Sequence, residues 1–116
     1  MDFRELLKNR RSIREFQDKE VPLSLLKEII QDSTFAPTSS NLQPCRFVII
    51  RDQEYIRKLS DESKRTLLSE LVKDPTSVIR NYEAALRNKG FNVFYNAPVL
   101  ILVIGPEDLY SIDIDA

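Results

Sequence analysis

Residues 36–50 read APTSSNLQPCRFVII, and this stretch joins a turn-rich loop to a short apolar segment. The loop contains two prolines together with Ser, Thr and Asn, whose short polar side chains favour turns by bonding to nearby backbone groups. The segment RFVII is apolar and β-branched, which predicts a strand that is buried on both faces. The stretch therefore predicts a well-defined loop that leads directly into an interior strand.

Two helices are predicted before this loop. Asp2 can cap a short helix that ends near a group of arginines, and Pro22 suits the first turn of a second helix. The second helix repeats apolar residues at helical spacing, which predicts a buried stripe of four residues: Leu25, Leu26, Ile29 and Ile30. After the loop and strand, the pattern is helical from residue 52 to about residue 89, with a break at Pro75 and an apolar stripe that includes Ile56, Leu71 and Val72.

A second apolar strand is predicted at residues 99–104, VLILVI. Two strands that are apolar on both faces belong inside a covered sheet, yet the chain offers few further strands to cover or extend them. We therefore expect that a second copy of the chain supplies the missing layer, or that the polypeptide is part of something longer.

The composition limits the classes of function. The chain has 116 residues, of which 42% are hydrophobic and 30% charged, with a net charge of −1, as expected for one ordinary globular domain. A balance this close to neutral argues against binding nucleic acid through bulk charge. No apolar run approaches the roughly 18 residues of a membrane helix, and the N-terminus lacks the apolar core of a signal peptide, so we expect a cytoplasmic protein with no membrane partner.

The chain contains no histidine and one cysteine. This excludes a Ser-His-Asp triad, removes the commonest metal ligand and rules out an internal disulfide. We assign no metal ligands and no catalytic acid, base or nucleophile. If the protein is an enzyme, a bound cofactor is expected to carry the difficult chemistry.

The segment NRRSIREF at residues 9–16 brings three guanidinium groups close together around a serine. Guanidinium groups bind phosphate in bidentate geometry, with about 1.5–3 kcal/mol for each charge-assisted hydrogen bond. Two arginines and a serine can therefore hold one phosphate. The alternative is an exposed charged turn, because runs of charge are usually solvated.

The arginine segment, the loop at residues 36–47 and the later segment FYNAPVLILVIG occur in an order and at a spacing that resemble the nitroreductase family of FMN-dependent oxidoreductases. The resemblance covers nearly the whole chain. It implies an α/β (α+β) three-layer fold in which helices flank a central mixed sheet. The implied domain is a single shortened one over residues 1–116, without the C-terminal helix, the segment facing the flavin and the basic residues that the family adds.

The resemblance also implies roles for residues of the first motif. Arg10 and Ser12 would bind the FMN phosphate with Arg11 beside them, and Arg14 would approach the pyrimidine edge of the flavin. A fixed cation at that edge favours the reduced flavin, because the reduced form carries negative charge there.

The loop would act from the other subunit of a homodimer. Pro37, Thr38 and Ser39 would contact the isoalloxazine ring, and Asn41 and Gln43 would brace the loop or touch the cofactor. The alternative is a structural turn that feeds a strand, since turn chemistry of this kind is common.

Three aspects of the pattern depart from the family or leave alternatives open. Thr38 stands where a serine is usual and keeps the hydroxyl, whereas Cys45 replaces the usual tryptophan and is expected to be a buried thiol without a redox role. Phe91, Phe94 and Tyr95 either border a substrate channel or belong to the core.

The expected function is that of an FMN-dependent NAD(P)H oxidoreductase that reduces nitroaromatics, quinones or similar acceptors by ping-pong hydride transfer. One alternative is a non-catalytic, shortened nitroreductase-like protein that dimerises and binds FMN weakly or not at all. The other is a phosphate-binding or nucleotide-binding module without redox chemistry, which rests on the arginines alone.

Overall fold

A computed structural model describes residues 2–116, apart from the side chain of Asp115, and Met1 lies outside the described residues. The chain combines helices with two strands, which confirms the α/β class. In order they are α1 (Phe3–Asn9), α2 (Leu23–Ser33), β1 (Arg46–Ile50), α3 (Gln53–Lys73), α4 (Glu83–Arg87), β2 (Leu100–Ile104) and α5 (Ile112–Asp115). Short 3-10 turns occupy Ser39–Asn41 and Val78–Tyr82.

Side-chain caps set the starts of α1 and α3. The Asp2 carboxylate accepts from the Glu5 amide at 2.8 Å, and the Glu5 carboxylate accepts from the Asp2 amide at 3.0 Å, so the predicted cap is part of a capping box. Asp52 caps α3 by accepting from the Tyr55 amide at 2.9 Å. These bonds satisfy amides that have no partner within the helix.

The predicted buried stripe of α2 is wrong for this chain. The helix follows Pro22 as expected, but only Leu26 is buried, Ile30 is half-buried, and Leu25 and Ile29 are exposed. The apolar spacing identified the helix correctly. The burial differs because the described residues place no further layer over the outer part of this stripe.

The sheet consists of β1 and β2 within residues 2–116. They pair antiparallel, with Arg46 opposite Ile104 and Ile50 opposite Leu100. The predicted burial on both faces is wrong, since Val48, Leu102 and Val103 are exposed. Two strands present too little surface to close a layer by themselves, so the central mixed sheet that the resemblance implies is represented here by one antiparallel pair.

The core lies along one face of α3. Its buried residues are Ile56, Ser60, Lys64 and Leu71, which lie within roughly a quarter of the helix circumference. Helix α4 packs against this helix and contributes the buried Leu86. Val72, which was predicted in the apolar stripe, is 78% exposed because it points away from this face.

The turn after α3 forms where Pro75 predicted a break. The Asp74 carboxylate accepts from the Thr76 hydroxyl at 2.6 Å and from the Thr76 amide at 3.0 Å. Both bonds favour the ionised carboxyl, the hydroxyl bond most strongly, so the pKa of Asp74 is lowered. Because the folded-state pKa is depressed, this small contribution to stability is present at neutral pH and is lost as the pH falls through that pKa.

Much apolar surface remains uncovered in the described chain. The radius of gyration is 17.1 Å, against about 13 Å for a compact domain of this length. Exposed apolar side chains include Phe3, Leu7, Ile13, Phe35 and Val48. Within residues 2–116, no helix is both long enough and apolar enough to cross a membrane.

Substitution of Ile56 tests whether the α3 face is the core. Ile56 is 1% exposed, so Ile56→Ala is expected to lower the free energy of unfolding by about 2–5 kcal/mol, through lost burial and a residual cavity. Val72→Ala on the exposed side of the same helix should change it by less than about 0.5 kcal/mol. Urea denaturation followed by circular dichroism measures both, and equal effects would contradict this assignment of the core.

Candidate functional site

The loop before β1 is held by a small network of polar side chains. The Thr38 hydroxyl accepts from the Gln43 backbone amide at 3.0 Å and lies 3.3 Å from the Gln43 side-chain nitrogen. That nitrogen also donates to the Asn41 side-chain oxygen at 3.1 Å. Three of the predicted site residues are therefore brought together, and Thr38 closes the loop on itself.

The same loop contains unusual backbone geometry. Ser40, Asn41 and Gln43 have φ values of 52°, 54° and 48°, in the left-handed region that residues other than glycine rarely adopt. Such residues cost of order 1–3 kcal/mol each and persist only where the surrounding contacts enforce them. The hydrogen bonds to Thr38 supply part of that enforcement, so the loop has a defined shape, as the sequence predicted.

A cavity of about 680 Å³ opens beside this loop. Thr38, Asn41 and Gln43 line it, together with Cys45 just before β1 and Phe47 near its start. Cys45 is half-buried, so the expected buried thiol is only partly confirmed. Ser39 is oriented differently, since its hydroxyl lies 3.5 Å from the Tyr110 hydroxyl. No sequence pattern indicated this contact with Tyr110.

The arginine segment follows the end of α1 and is exposed. Arg10 forms the C-cap of this helix, and its backbone amide donates to the Leu6 carbonyl at 2.9 Å. Arg11 turns back, and its guanidinium donates to the carbonyls of Lys8 at 2.7 Å and Arg10 at 2.8 Å. Arg11 is thus engaged with the negative end of the helix dipole.

Arg10, Arg11 and Arg14 take part in none of the ion pairs among the described residues. Three arginines elsewhere do pair with glutamates: Arg51, Arg65 and Arg87. The cations of the arginine segment are therefore not neutralised by carboxylates within the described chain, which suits them to bind an external anion.

Arg14 lies over the ring of Tyr95, with its guanidinium carbon 5.9 Å from the ring centroid. Tyr95 also has a left-handed backbone, with a φ of 55°, and its ring meets that of Phe91 edge to face at 6.0 Å. Phe91 and Phe94 are half-buried, whereas Tyr95 is exposed. Tyr95 is therefore the surface-exposed member of these three aromatic residues.

The predicted site residues form two groups in this chain. Three loop residues line the cavity, but none of the residues of the arginine segment is among its lining. Pro37 belongs to the same loop and is exposed, and Ser12 is exposed beside Arg11. One copy of the chain therefore presents the two groups separately.

Comparison with known proteins decides the family. The model of the nitroreductase family matches residues 7–115. The chain belongs to the nitroreductase family. The resemblance inferred from the three sequence motifs is thereby confirmed over almost the whole chain.

The relatives of this nitroreductase-family chain are named for different activities. A Methanothermobacter thermautotrophicus protein provisionally named NADH dehydrogenase/NAD(P)H nitroreductase is 36% identical over 61 residues, which are 53% of this chain and 32% of the relative. Iodotyrosine deiodinase 1 of Sus scrofa is 27% identical over an alignment of 114 positions, which covers 88% of this chain and 36% of the relative. The matched part is thus about a third of these proteins.

A solved structure confirms the fold. The chain superimposes on an FMN-bound nitroreductase of Bacteroides fragilis with a TM-score of 0.77 and 20% identity, covering 96% of this chain and 56% of the other. The nitroreductase fold is therefore established, and the described elements correspond to about half of that protein.

The hydroxyl of Thr38 can be tested as the support of the loop. Thr38→Val keeps the side-chain shape but removes the acceptor for the Gln43 amide, so exchange of that amide with solvent should accelerate about two- to tenfold. Thr38→Ser keeps the acceptor and should preserve slow exchange. Amide hydrogen exchange followed by NMR measures both, and equal protection in the two variants would contradict the role of the hydroxyl.

Proposed function

We propose that this chain is the FMN-binding part of a flavin-dependent oxidoreductase. The observation that carries the proposal is the arginine segment: Arg10 and Arg14 are exposed cations outside every ion pair of the described residues, and the exposed Ser12 lies between them in the sequence. A phosphate ester on an aromatic heterocycle matches this arrangement. The family membership supports the same ligand.

Arg10 and Ser12 are proposed to hold the FMN phosphate. A guanidinium group offers two parallel donors to phosphate oxygens, and a serine hydroxyl adds a third. Arg11 contributes charge nearby, but its hydrogen bonds to the end of α1 make it a support for the segment and a secondary ligand. Arg11, although next to Arg10 in the sequence, is therefore not equivalent to it as a ligand.

Arg14 is proposed to face the pyrimidine edge of the flavin. It lies four residues beyond Arg10 on an extended segment, outside the regular helix. Its positive charge would stabilise the negative charge of a reduced flavin, and this effect is largest where water is excluded.

The loop carrying Pro37, Thr38 and Ser39 is proposed to contact the ring from a second copy of the chain. This arrangement accounts for the separation of the loop cavity from the arginine segment within one copy. It would also cover part of the exposed apolar surface of α2 and the sheet. Asn41 and Gln43 brace the loop through their hydrogen bonds and line the same cavity.

FMN, when bound, would supply the redox chemistry, accepting a hydride from NAD(P)H and reducing an organic acceptor such as a nitroaromatic or quinone in a ping-pong cycle. The side chains of this chain then bind, orient and compensate charge, and no acid or base is required of them. Relatives named as nitroreductases and as iodotyrosine deiodinases both match, so the proposed substrate class extends no further than reducible organic acceptors. A cytoplasmic location, where NAD(P)H is supplied, fits this role.

Retention of FMN tests the phosphate site. Wild-type protein mixed with FMN and desalted should retain yellow absorbance, and Arg10→Ala should weaken FMN binding about tenfold to a hundredfold, as expected for lost charge-assisted hydrogen bonds. Lys58→Ala, at an exposed position of α3, should leave binding unchanged. Fluorescence titration of FMN measures all three proteins. Colourless wild-type protein that elutes as a dimer would instead support the non-catalytic alternative.

Mixing two defective variants tests whether the site spans two copies. At an FMN concentration where neither Arg10→Ala nor Thr38→Trp retains the cofactor, refolding them together in equal amounts should restore binding at about one quarter of the sites. The reason is that half of the dimers are mixed, and each mixed dimer has one intact site. Absorbance after desalting measures the recovery, and no recovery in a sample that forms mixed dimers would exclude a shared site.

A further inference from the structure

The buried face of α3 contains two polar residues that bond to the segment before β2. Lys64 is 6% exposed, and its ammonium donates to the carbonyls of Phe91 at 2.7 Å and Asn88 at 3.2 Å, with the Asp61 carboxylate at 3.4 Å. One turn earlier, the Ser60 hydroxyl accepts from the Val93 amide at 3.0 Å. A buried lysine is costly unless its charge and donors are compensated, and here two carbonyls accept hydrogen bonds and a carboxylate pairs with the charge.

These bonds fix the backbone that carries Tyr95. Beyond Val93 the chain turns sharply: the Asn92 side chain accepts from the Phe94 amide at 2.8 Å, and the Asn92 carbonyl accepts from the Tyr95 amide at 2.9 Å. Tyr95 and Asn96 are both left-handed, with φ values of 55°. Strained geometry of this kind needs support from outside the turn, and Lys64 and Ser60 provide it.

A continuous series of contacts then runs from α3 to the arginine segment. Lys64 holds the Phe91 carbonyl, the Phe91 ring meets the Tyr95 ring edge to face at an interplanar angle of 85°, and the Tyr95 ring lies under the Arg14 guanidinium. The face of an aromatic ring attracts a cation and restricts where it can lie. Arg14 therefore rests on a support whose position is set from the core.

We propose that Lys64 is a positioning residue: through Phe91 and Tyr95 it holds the Arg14 guanidinium in the place from which it faces the flavin. This inference rests on the proposed role of Arg14 in binding FMN. Lys64 itself touches no cofactor, and the contact with Tyr95 leaves the other face of the guanidinium available to a ligand.

The experiment measures the position of the Arg14 guanidinium by NMR, in the protein without cofactor. The Nε–Hε signal of Arg14 in a proton–nitrogen NMR spectrum, assigned by its loss in Arg14→Lys, should be shifted upfield by the Tyr95 ring. Tyr95→Phe keeps the ring and should keep the shift, whereas Tyr95→Leu should move the signal to the position of an exposed arginine.

Lys64→Met should also move the Arg14 signal toward the exposed position, whereas Lys58→Met, the same change at an exposed site of the same helix, should not. Circular dichroism checks that each variant is folded. If Lys64→Met does not fold, Phe91→Leu replaces it, because this change removes the ring contact but retains the carbonyl that Lys64 bonds to. An unchanged Arg14 signal in the folded variant overturns the proposal.

FMN titration separates this inference from the proposed function. Tyr95→Leu should weaken FMN binding about two- to fivefold, the loss expected for one exposed cation–π contact, and Tyr95→Phe should not. Wild-type protein that binds no FMN would refute the proposed function, while the NMR signals alone would still decide whether Lys64 positions Arg14.

Discussion

The fold of this chain depends on one mixed face of α3. Ile56 and Leu71 give this face its apolar packing, while Ser60 and Lys64 use it to bond the backbone that returns toward β2. The polar pair is buried and hydrogen-bonded, and no buried side-chain nitrogen or oxygen among the described residues is left without a hydrogen-bond partner. Because a buried amine tolerates few alternative arrangements, the pair specifies one path for residues 88–93, which apolar packing alone would leave less defined.

The rest of the chain is arranged around this centre with little packing of its own. Helices α1 and α2 and both strands expose apolar side chains, among them Leu7, Ile29 and Val103. Surface of this kind marks an interaction site when it is contiguous. The described elements match about half of a solved relative, and within residues 2–116 these apolar side chains remain uncovered.

The sequence predicted local structure well and burial poorly, and the reason is physical. Caps and helix breaks are decided by neighbouring residues, so Asp2 and Pro75 were assigned correctly. The burial of a side chain depends on which residues pack against it in three dimensions. The apolar stripe of α2 was recognised, but its exposure depends on which of the described residues pack against it, and no local pattern encodes that.

In the candidate site too, local features were predicted from the sequence and features that depend on tertiary contacts were not. The loop and the arginine segment were found from residue type and spacing, whereas the left-handed conformation of Gln43 and the support of Arg14 by Tyr95 were not. The first depends on the hydrogen bonds that close the loop, and the second on a contact between residues far apart in the sequence. Lys64 gave one signal that could have been used: a charged residue in line with Ile56 and Leu71 interrupts an apolar face, and such an interruption indicates a buried polar contact.

The electrostatics of the arginine segment link cofactor binding to assembly in the proposed site. An exposed pair of opposite charges at contact distance gains only about 1 kcal/mol in water, and several times more where water is excluded. Arg10 and Arg14 are exposed in one copy of the chain, so they would bind a phosphate tightly only once a second surface covers them. Such a surface would also cover exposed apolar residues of the chain. A ligand that binds the assembled form better than the single chain must stabilise the assembly by the same free energy, so FMN and the second copy would each strengthen the binding of the other.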